Sequence, residues 1–525
     1  MTKRERISKM PVRMLADMLM NSDIDQCVVS PGSRNAPIIL EFSRNGFRMH
    51  TVIDERTAGF VALGMAKATC RPVAVVCTSG TAVLNLAPAL AEAYYSQIPL
   101  IAITADRPEA DIDQLLGQTI RQNEALAAVV RCSVSLSECM SEREVADKIN
   151  KALITCKTDV PGPVQINIHL SMPLTVTGEY PGYENFNYIE VTKQDGHPSV
   201  NIAPAGLHGR VLILLGSQMT TDFEVYNVNN IVERLKKHRN VRVLAEIQAN
   251  IPSADRLAPY TGAGAVLPVP DLAVVLGGTF VDPRILTWLA RHKVPVASAG
   301  LDSVPVTRGL NVTYYYRGAD SDLLAIIDAH LSVFPSKKRY NIRPSQPDAM
   351  RGSLRDPDVE KILAKLPPYA CVFIANGMSI RQAQFTGRHD LRVYANRGVS
   401  GIDGCTSTAI GIAKMLRDDF FLITGDMGAF YDIGALAIEH IPAGFHMVVI
   451  DNGGGGIFRN VATTASLPHD ELERFFLAPP KQVLADFARN CGFEYISVSS
   501  DELTDGVLAE FILHRGPIVL NIKQI

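Results

Sequence analysis

The sequence predicts an α/β protein made of three doubly wound parallel-sheet domains. Two observations carry that prediction: short, continuously apolar, β-branched runs recur with helical segments between them, and one such stretch repeats another further along the chain. Strands that are apolar without alternation are strands buried on both faces, the situation of a parallel sheet covered by helices. The first domain holds CVVS at 27–30, VAVVC at 73–77, LIAIT at 100–104 and PVQINI at 163–168. The second holds VLILLG at 211–216, VRVLAEI at 241–247 and LAVVLGG at 272–278. The third holds CVFIANG at 371–377, FFLITGD at 420–426, MVVIDNGG at 447–454 and PIVLNI at 517–522. Residues 172–206 and 333–358 are rich in Pro, Gly and polar residues without sustained period and read as linkers. The predicted domains are therefore 1–180, 200–333 and 355–525.

Aligned without a gap, residues 64–105 lie over 411–452, with identities that include Gly64/Gly411, Ala66/Ala413, Lys67/Lys414, Ala82/Ala429 and Glu92/Glu439. The order of features matches too: small-residue helix end, polar turn, apolar strand, glycine turn, apolar helix, apolar strand. The first and third domains are expected to share one fold, the alternative being two unrelated α/β units with a common pattern. In this register Ser79 faces Asp426 and Ala105 faces Asn452, so acidic and amide groups stand at strand ends in the third domain alone.

Composition excludes other classes. The chain has 525 residues, 47% of them hydrophobic, with 51 Lys+Arg against 54 Asp+Glu interspersed along it. Neither a nucleic-acid stripe nor an acidic tail is present, and no nucleic-acid partner is expected. The nine cysteines form no CxxC pair and read as reduced thiols of a cytoplasmic protein. MTKRERISKMPVRMLADMLM lacks the apolar core of a secretory signal and reads as an amphipathic first helix. Residues 72–91 are long enough to span a bilayer. They are interrupted by Pro72, Thr78, Ser79, Gly80, Asn85 and Pro88, and parse instead as strand, TSG turn and buried helix, so no membrane insertion is expected.

Chemistry concentrates at Gly425-Asp426 and at Asp451-Asn452 with Gly453–Gly456, which end two of the apolar strands. In doubly wound sheets ligands bind beyond the carboxyl ends of the strands. A carboxylate, an amide oxygen and a backbone carbonyl are hard oxygen ligands that, with phosphate oxygens and water, suit octahedral Mg²⁺. Glycines let backbone N–H groups approach phosphate closely. Read separately, Asp426 is a helix cap and the glycines a mobile loop; read together they form a diphosphate–Mg²⁺ site. Competing motifs fail: no GxxxxGK[ST] or HExxH occurs, Leu267 stands where a third glycine should follow Gly262 and Gly264, and Cys77 breaks a GxSxG elbow.

Asp54-Glu55-Arg56, then ALGMA at 62–66, CTSGTA at 77–82 and GD with its distal Asn resemble the two halves of a thiamine diphosphate enzyme. More narrowly, SPGSR at 30–34, TADRP at 104–108, GQTIRQ at 117–122 and NRGVSGIDG at 396–404 are similar to the 2-succinyl-5-enolpyruvyl-6-hydroxy-3-cyclohexene-1-carboxylate synthases of menaquinone biosynthesis. The matches are dense in 27–122 and 371–458, and the central domain matches in outline.

The resemblance implies a role for each matching residue. Glu55, desolvated by Phe60 and Val61, would hold the cofactor's N1′ position and favour the imino tautomer that takes the C2 proton. Thr78 and Gly80 would border the cofactor, Ile402 would be the apolar wedge that keeps it bent, and Gly401 would offer its carbonyl to the exocyclic amine. Gly425, Asp426, Met427, Asn452 and Gly454 would form the diphosphate site, with Asp426, Asn452 and Gly454 ligating Mg²⁺ or Mn²⁺. Arg34, Arg107, Arg284, Arg381 and Arg397 would bind the carboxylates of 2-oxoglutarate and isochorismate through guanidinium forks, Ser33 and Gln118 would add hydrogen bonds, and Ile457 and Phe458 would wall the ring. Met427, Asp451, Gly377 and Pro283 depart from the family's usual pattern. The implied reaction is decarboxylation of 2-oxoglutarate and 1,4-addition of the succinyl unit to isochorismate. Family members assemble such sites between subunits, so the resemblance implies a homodimer at least, and a homotetramer. Another thiamine diphosphate enzyme, an acetolactate synthase or 2-oxo acid decarboxylase, would explain Glu55 but not the arginines of SPGSR and TADRP. A non-catalytic nucleotide- or flavin-binding protein would leave Glu55 unexplained.

Overall fold

The computed structural model describes residues 5–158, 160–178, 204–217, 222–261, 264–302, 307–345, 355–481 and 483–524. Parts of both expected linkers, 179–203 and 346–354, lie outside the described residues, as do Gly262 and Ala263. The chain forms two compact units, one of residues 1–193 with 398–417 and 431–442, the other of 194–397 with 418–430 and 443–525.

The first unit carries β1 (Glu5–Ile7), β2 (Gln26–Val29), β3 (Arg48–Thr51), β4 (Val73–Cys77), β5 (Leu100–Asp106), β6 (Cys132–Ser137), β7 (Val164–His169) and β8 (Val176–Gly178). β1 and β8 make a small antiparallel ribbon. The other six form one parallel sheet in the order β3-β2-β4-β5-β7-β6. Its interior strands β4, β5 and β7 are buried along their whole length. The N-terminal segment differs from expectation: the first helix is Met10–Met20 with Pro11 in its first turn, and residues 5–7 pair in the ribbon instead.

Two helices of this unit lie unusually close. The Glu55–Thr69 helix starts where the Asp54 side chain accepts the Arg56 N–H at 2.9 Å, as an N-cap should. Along it runs the Cys405–Met415 helix. A Cβ on Gly64 would lie 2.1 Å from the Thr408 carbonyl oxygen, and one on Gly411 would lie 2.1 Å from that of Val61. Gly64 and Gly411 are the same position in the internal repeat, so each copy supplies the hydrogen side chain at the crossing.

The second unit carries β9 (Val211–Leu215), β10 (Val241–Ala245), β11 (Asp255–Arg256), β12 (Leu272–Leu276), β13 (Pro295–Gly300), β14 (Asn311–Arg317), β15 (Cys371–Ile374), β16 (Arg392–Tyr394), β17 (Phe420–Gly425), β18 (Phe445–Asp451), β19 (Glu494–Ser499) and β20 (Ile518–Lys523). They form two parallel sheets, β11-β10-β9-β12-β13-β14 and β16-β15-β17-β18-β20-β19. Numbered from one within each sheet, the first and third sheets share the order 2-1-3-4-6-5, whereas the central sheet runs 3-2-1-4-5-6. The repeat thus extends to topology and omits the central sheet. Among the described residues no helix is long and apolar enough to cross a membrane.

Candidate active site

Ligands of doubly wound sheets sit where the strand order reverses. In the first sheet that point lies between β2 and β4, and a cavity of about 410 Å³ opens in the same unit. Its wall is Glu55, Thr78–Ala82, Asn85 and Gln118–Ile120. Glu55, Thr78, Gly80 and Gln118, singled out from sequence, therefore share one cavity. Gly80 has φ +82°, and a Cβ there would approach the Gln118 backbone to 3.1 Å, so glycine is required for the loops to meet. The Gly80 N–H donates to Gln122 Oε1 at 2.8 Å, and Gln122 Nε2 donates to Ala105 O and Asn167 Oδ1 in a buried network behind the cavity. Gln122 is a support that sequence reading quoted only as part of a motif.

Ser33 is exposed on the loop after β2, and Arg34 beside it donates to the Leu170 carbonyl at 2.9 Å. Burial and the neighbouring Arg107 guanidinium hold Arg34 below its ordinary range. Arg107 donates to the Gly117 carbonyl at 3.1 Å, which ties the TADRP and GQTIRQ loops together. Gly401 and Ile402 are half-buried in this unit, between Ser400 at φ +61° and Gly404 at φ +64°. A Cβ on Gly404 would fall 2.0 Å from the Phe60 ring.

In the second unit Gly425 ends β17 and Asp426 begins the Asp426–Tyr431 helix, with half-buried Met427 next to it. Asp426 accepts the N–H of Met427 at 2.9 Å and of Gly454 at 2.6 Å. Burial, with Asp451 adding to it, pushes its carboxyl up to about 6. Asn452 Oδ1 and Asp451 Oδ1 are buried with no hydrogen-bond partner among the described residues. Gly454, at φ +116°, is packed so that a Cβ would sit 2.2 Å from Leu477 O. A buried carboxylate and an orphaned amide oxygen around a backbone turn fit a divalent cation carrying phosphate, because each lacks the positive partner that burial calls for. Ile457 and Phe458 follow in a half-buried 3₁₀ turn, where Phe458 meets Phe476 edge-on at 5.6 Å.

The remaining three arginines converge on the loop Phe280–Arg284. Arg397, 8% exposed, donates to Asn376 Oδ1 at 2.8 Å and to Phe280 O at 3.4 Å. Arg284 donates from Nε and Nη2 to the two carboxylate oxygens of Asp282, at 2.8 and 2.6 Å. Arg381 is held below its ordinary range by burial, opposed by the charge of Asp282, and donates to the Gly377 carbonyl. Sequence reading missed Asp282 and also Glu246, which is 1% exposed and accepts the N–H groups of Val281 and Asp282. The DPR string carried a signal for Asp282; nothing local marked Glu246. Gly377 has φ +104°, a backbone conformation that favours glycine. Pro283 precedes the Arg284–Arg291 helix as its N-cap residue.

Residues 12–126 match the family model described as "Thiamine pyrophosphate enzyme, N-terminal TPP binding domain". With the duplicated sheet topology and the Glu55 cavity, that match defines the class: the protein is a thiamine diphosphate-dependent enzyme. Among relatives, the 2-succinyl-5-enolpyruvyl-6-hydroxy-3-cyclohexene-1-carboxylate synthase of Flavobacterium psychrophilum is 34% identical over 86% of this chain and 85% of its own length. The enzyme of that name from Porphyromonas gingivalis is 34% identical over 98% and 94%, and that from Desulfotalea psychrophila 32% identical over 98% and 98%. The chain belongs to the 2-succinyl-5-enolpyruvyl-6-hydroxy-3-cyclohexene-1-carboxylate synthase family, transferases of menaquinone biosynthesis.

Proposed function

We propose that the protein decarboxylates 2-oxoglutarate and adds the succinyl unit to isochorismate in a 1,4 sense, releasing CO₂ and 2-succinyl-5-enolpyruvyl-6-hydroxy-3-cyclohexene-1-carboxylate. The observation that carries this reading is the sorting of five arginines into two clusters. Arg34 and Arg107 lie together in the first unit, and Arg284, Arg381 and Arg397 around one loop in the second. Both substrates bring two carboxylates, and guanidinium forks are the side chains that match them. Bound thiamine diphosphate supplies the C2 nucleophile and the electron sink for decarboxylation.

The chain's residues bind, orient and move protons. Glu55 exchanges a proton with N1′ at the wall of its cavity, which Thr78 and Gly80 share. Asp426, Asn452 and the Gly454 carbonyl hold Mg²⁺, or Mn²⁺ in its stead, and Gly425 and Met427 border the diphosphate. Gly401 would offer its carbonyl to the cofactor's exocyclic amine, and Ile402 would give it an apolar contact. Arg284 exchanges its Asp282 partner for a substrate carboxylate, while Ser33 and Gln118 donate hydrogen bonds, and Ile457 and Phe458 exclude water from the ring. On this reading residues 1–180 hold the pyrimidine, 355–525 the diphosphate, and 200–333 contribute Arg284. Neither Gly401 nor Ile402 lines the Glu55 cavity. That supports completion of the site by a second copy in a homodimer, or a homotetramer of two such pairs. Nine free cysteines support a reducing, cytoplasmic setting.

The test pairs assay with calorimetry. Glu55→Gln should bind thiamine diphosphate while losing turnover by at least ~10²-fold, and Asp426→Ala should lose Mg²⁺-dependent binding. Turnover should require 2-oxoglutarate, with product formation awaiting isochorismate. Turnover with pyruvate and none with 2-oxoglutarate would overturn the assignment.

A further inference from the structure

We infer that Glu92 is a positioning residue for the cofactor site, its buried carboxylate fixing the backbone of Gly398–Ile402. The inference rests on the reading above that Gly401 and Ile402 hold the cofactor. Glu92 lies in the Ala87–Tyr95 helix and is 1% exposed. Its Oε1 accepts the Gly398 N–H at 2.8 Å and the Ser96 hydroxyl at 2.9 Å, and its Oε2 accepts the Val399 N–H at 2.8 Å. The Lys67 ammonium stands 3.7 Å from Oε1 and is itself buried. A buried carboxylate is tolerated when its lone pairs are filled and a positive charge is near. Two of the three hydrogen-bond donors here are backbone N–H groups of the segment being held, so the segment cannot shift without stranding the charge.

The geometry downstream agrees. Gly398 is so close that a Cβ would lie 2.6 Å from the Glu92 carbonyl oxygen. Ser400, a non-glycine residue, sits at φ +61°. A residue keeps such a conformation when its surroundings over-determine it. With Gly404 seated against Phe60, the segment is pinned at both ends and presents Gly401 and Ile402 between them.

The internal repeat supplies a control within the molecule. Glu439 is the counterpart of Glu92 and Lys414 of Lys67. In that copy Glu439 is exposed, and Lys414 donates to the Glu439 and His440 carbonyls at 3.1 and 2.9 Å. A cavity of about 450 Å³, lined by Thr51, His50, Lys414 and Glu439 among others, is open there. The fold therefore accepts this lysine–glutamate pair without closure, and closure occurs at Glu92, whose partners lie in the segment that carries Gly401 and Ile402.

Glu92→Gln replaces one acceptor by a donor facing a backbone N–H. In the full-length protein with Mg²⁺, calorimetric affinity for thiamine diphosphate should fall at least ~10-fold, equivalent to ~1.4 kcal/mol. Hydrogen exchange at 398–402 should quicken, and the near-ultraviolet dichroism of the bound aminopyrimidine should change. Glu439→Gln, the same change in the open copy, should leave all three unaltered. Should Glu92→Gln fold poorly, Ser96→Ala keeps the carboxylate and should weaken binding in the same direction by ~2–5-fold. Unchanged affinity and exchange in Glu92→Gln, with Ile402→Ala still weakening binding, would overturn the inference. Unchanged affinity in Ile402→Ala would overturn the reading beneath it.

Discussion

Asp432 shows what one buried side chain decides. It is fully buried and accepts the Ser407 N–H at 2.7 Å and the Ser407 hydroxyl at 2.8 Å, capping the Cys405–Met415 helix from outside it. Burial pushes its carboxyl up to about 6. Below the unfolded carboxylate range of roughly 4 both states carry the proton, and the native preference for it is fully present. As pH rises through 6 the native state must ionise a buried group, and that contribution is lost. Asp432→Asn has no proton to lose. Its stability relative to the parent should therefore rise between pH 4 and pH 7, by up to ~3 kcal/mol. Melting temperatures across that range check this; a constant difference between the two proteins would refute it.

At the scale of elements, glycine at equivalent places in two helices sets their approach. Because a Cβ at either Gly64 or Gly411 would meet a carbonyl oxygen at 2.1 Å, Gly411→Ala must push the helices apart. The expected loss is ~1–3 kcal/mol, read as a lower denaturation midpoint at unchanged slope; an unmoved midpoint would contradict the close crossing. Strand legibility also has an element-scale reason. Every run recognised from sequence became an interior strand: β2, β4, β5, β7, β9, β10, β12, β15, β17, β18 and β20. The overlooked edge strands were β3, β6, β11, β14, β16 and β19. An edge strand is partly solvated, as the mixed burial of β14 and β19 shows, so it lacks the continuous apolar signature. β13, PVASAG, is interior in the sheet but built of small residues that local pattern does not flag.

At the scale of the molecule, the proposed assembly makes a prediction that neither unit makes alone. If each site joins Glu55 of one chain with Asp426 of another, Glu55→Gln and Asp426→Ala proteins should each be inactive. Refolded together, they should regain activity, because a mixed dimer contains one site with both wild-type residues. Random pairing predicts about a quarter of the wild-type sites. Persistent inactivity of the mixture, with mixed dimers demonstrated by mass, would place both residues in sites within single chains.

The α/β class, the duplication of one sheet, the thiamine diphosphate motifs and the family-matching arginines are all legible in the chain. These follow from local pattern: apolar runs, glycine at turns, acidic and amide groups at strand ends. The sequence was silent on the roles of Glu92, Glu246 and Asp432, whose significance lies in burial and in partners far along the chain, as with Glu92 and Val399 or Asp432 and Ser407. It could not separate Glu92 from Glu439, identical letters at equivalent positions, one sealed and one open. The difference arises in three dimensions, because a carboxylate's role depends on which donors the fold brings to it and on whether water is excluded when they meet.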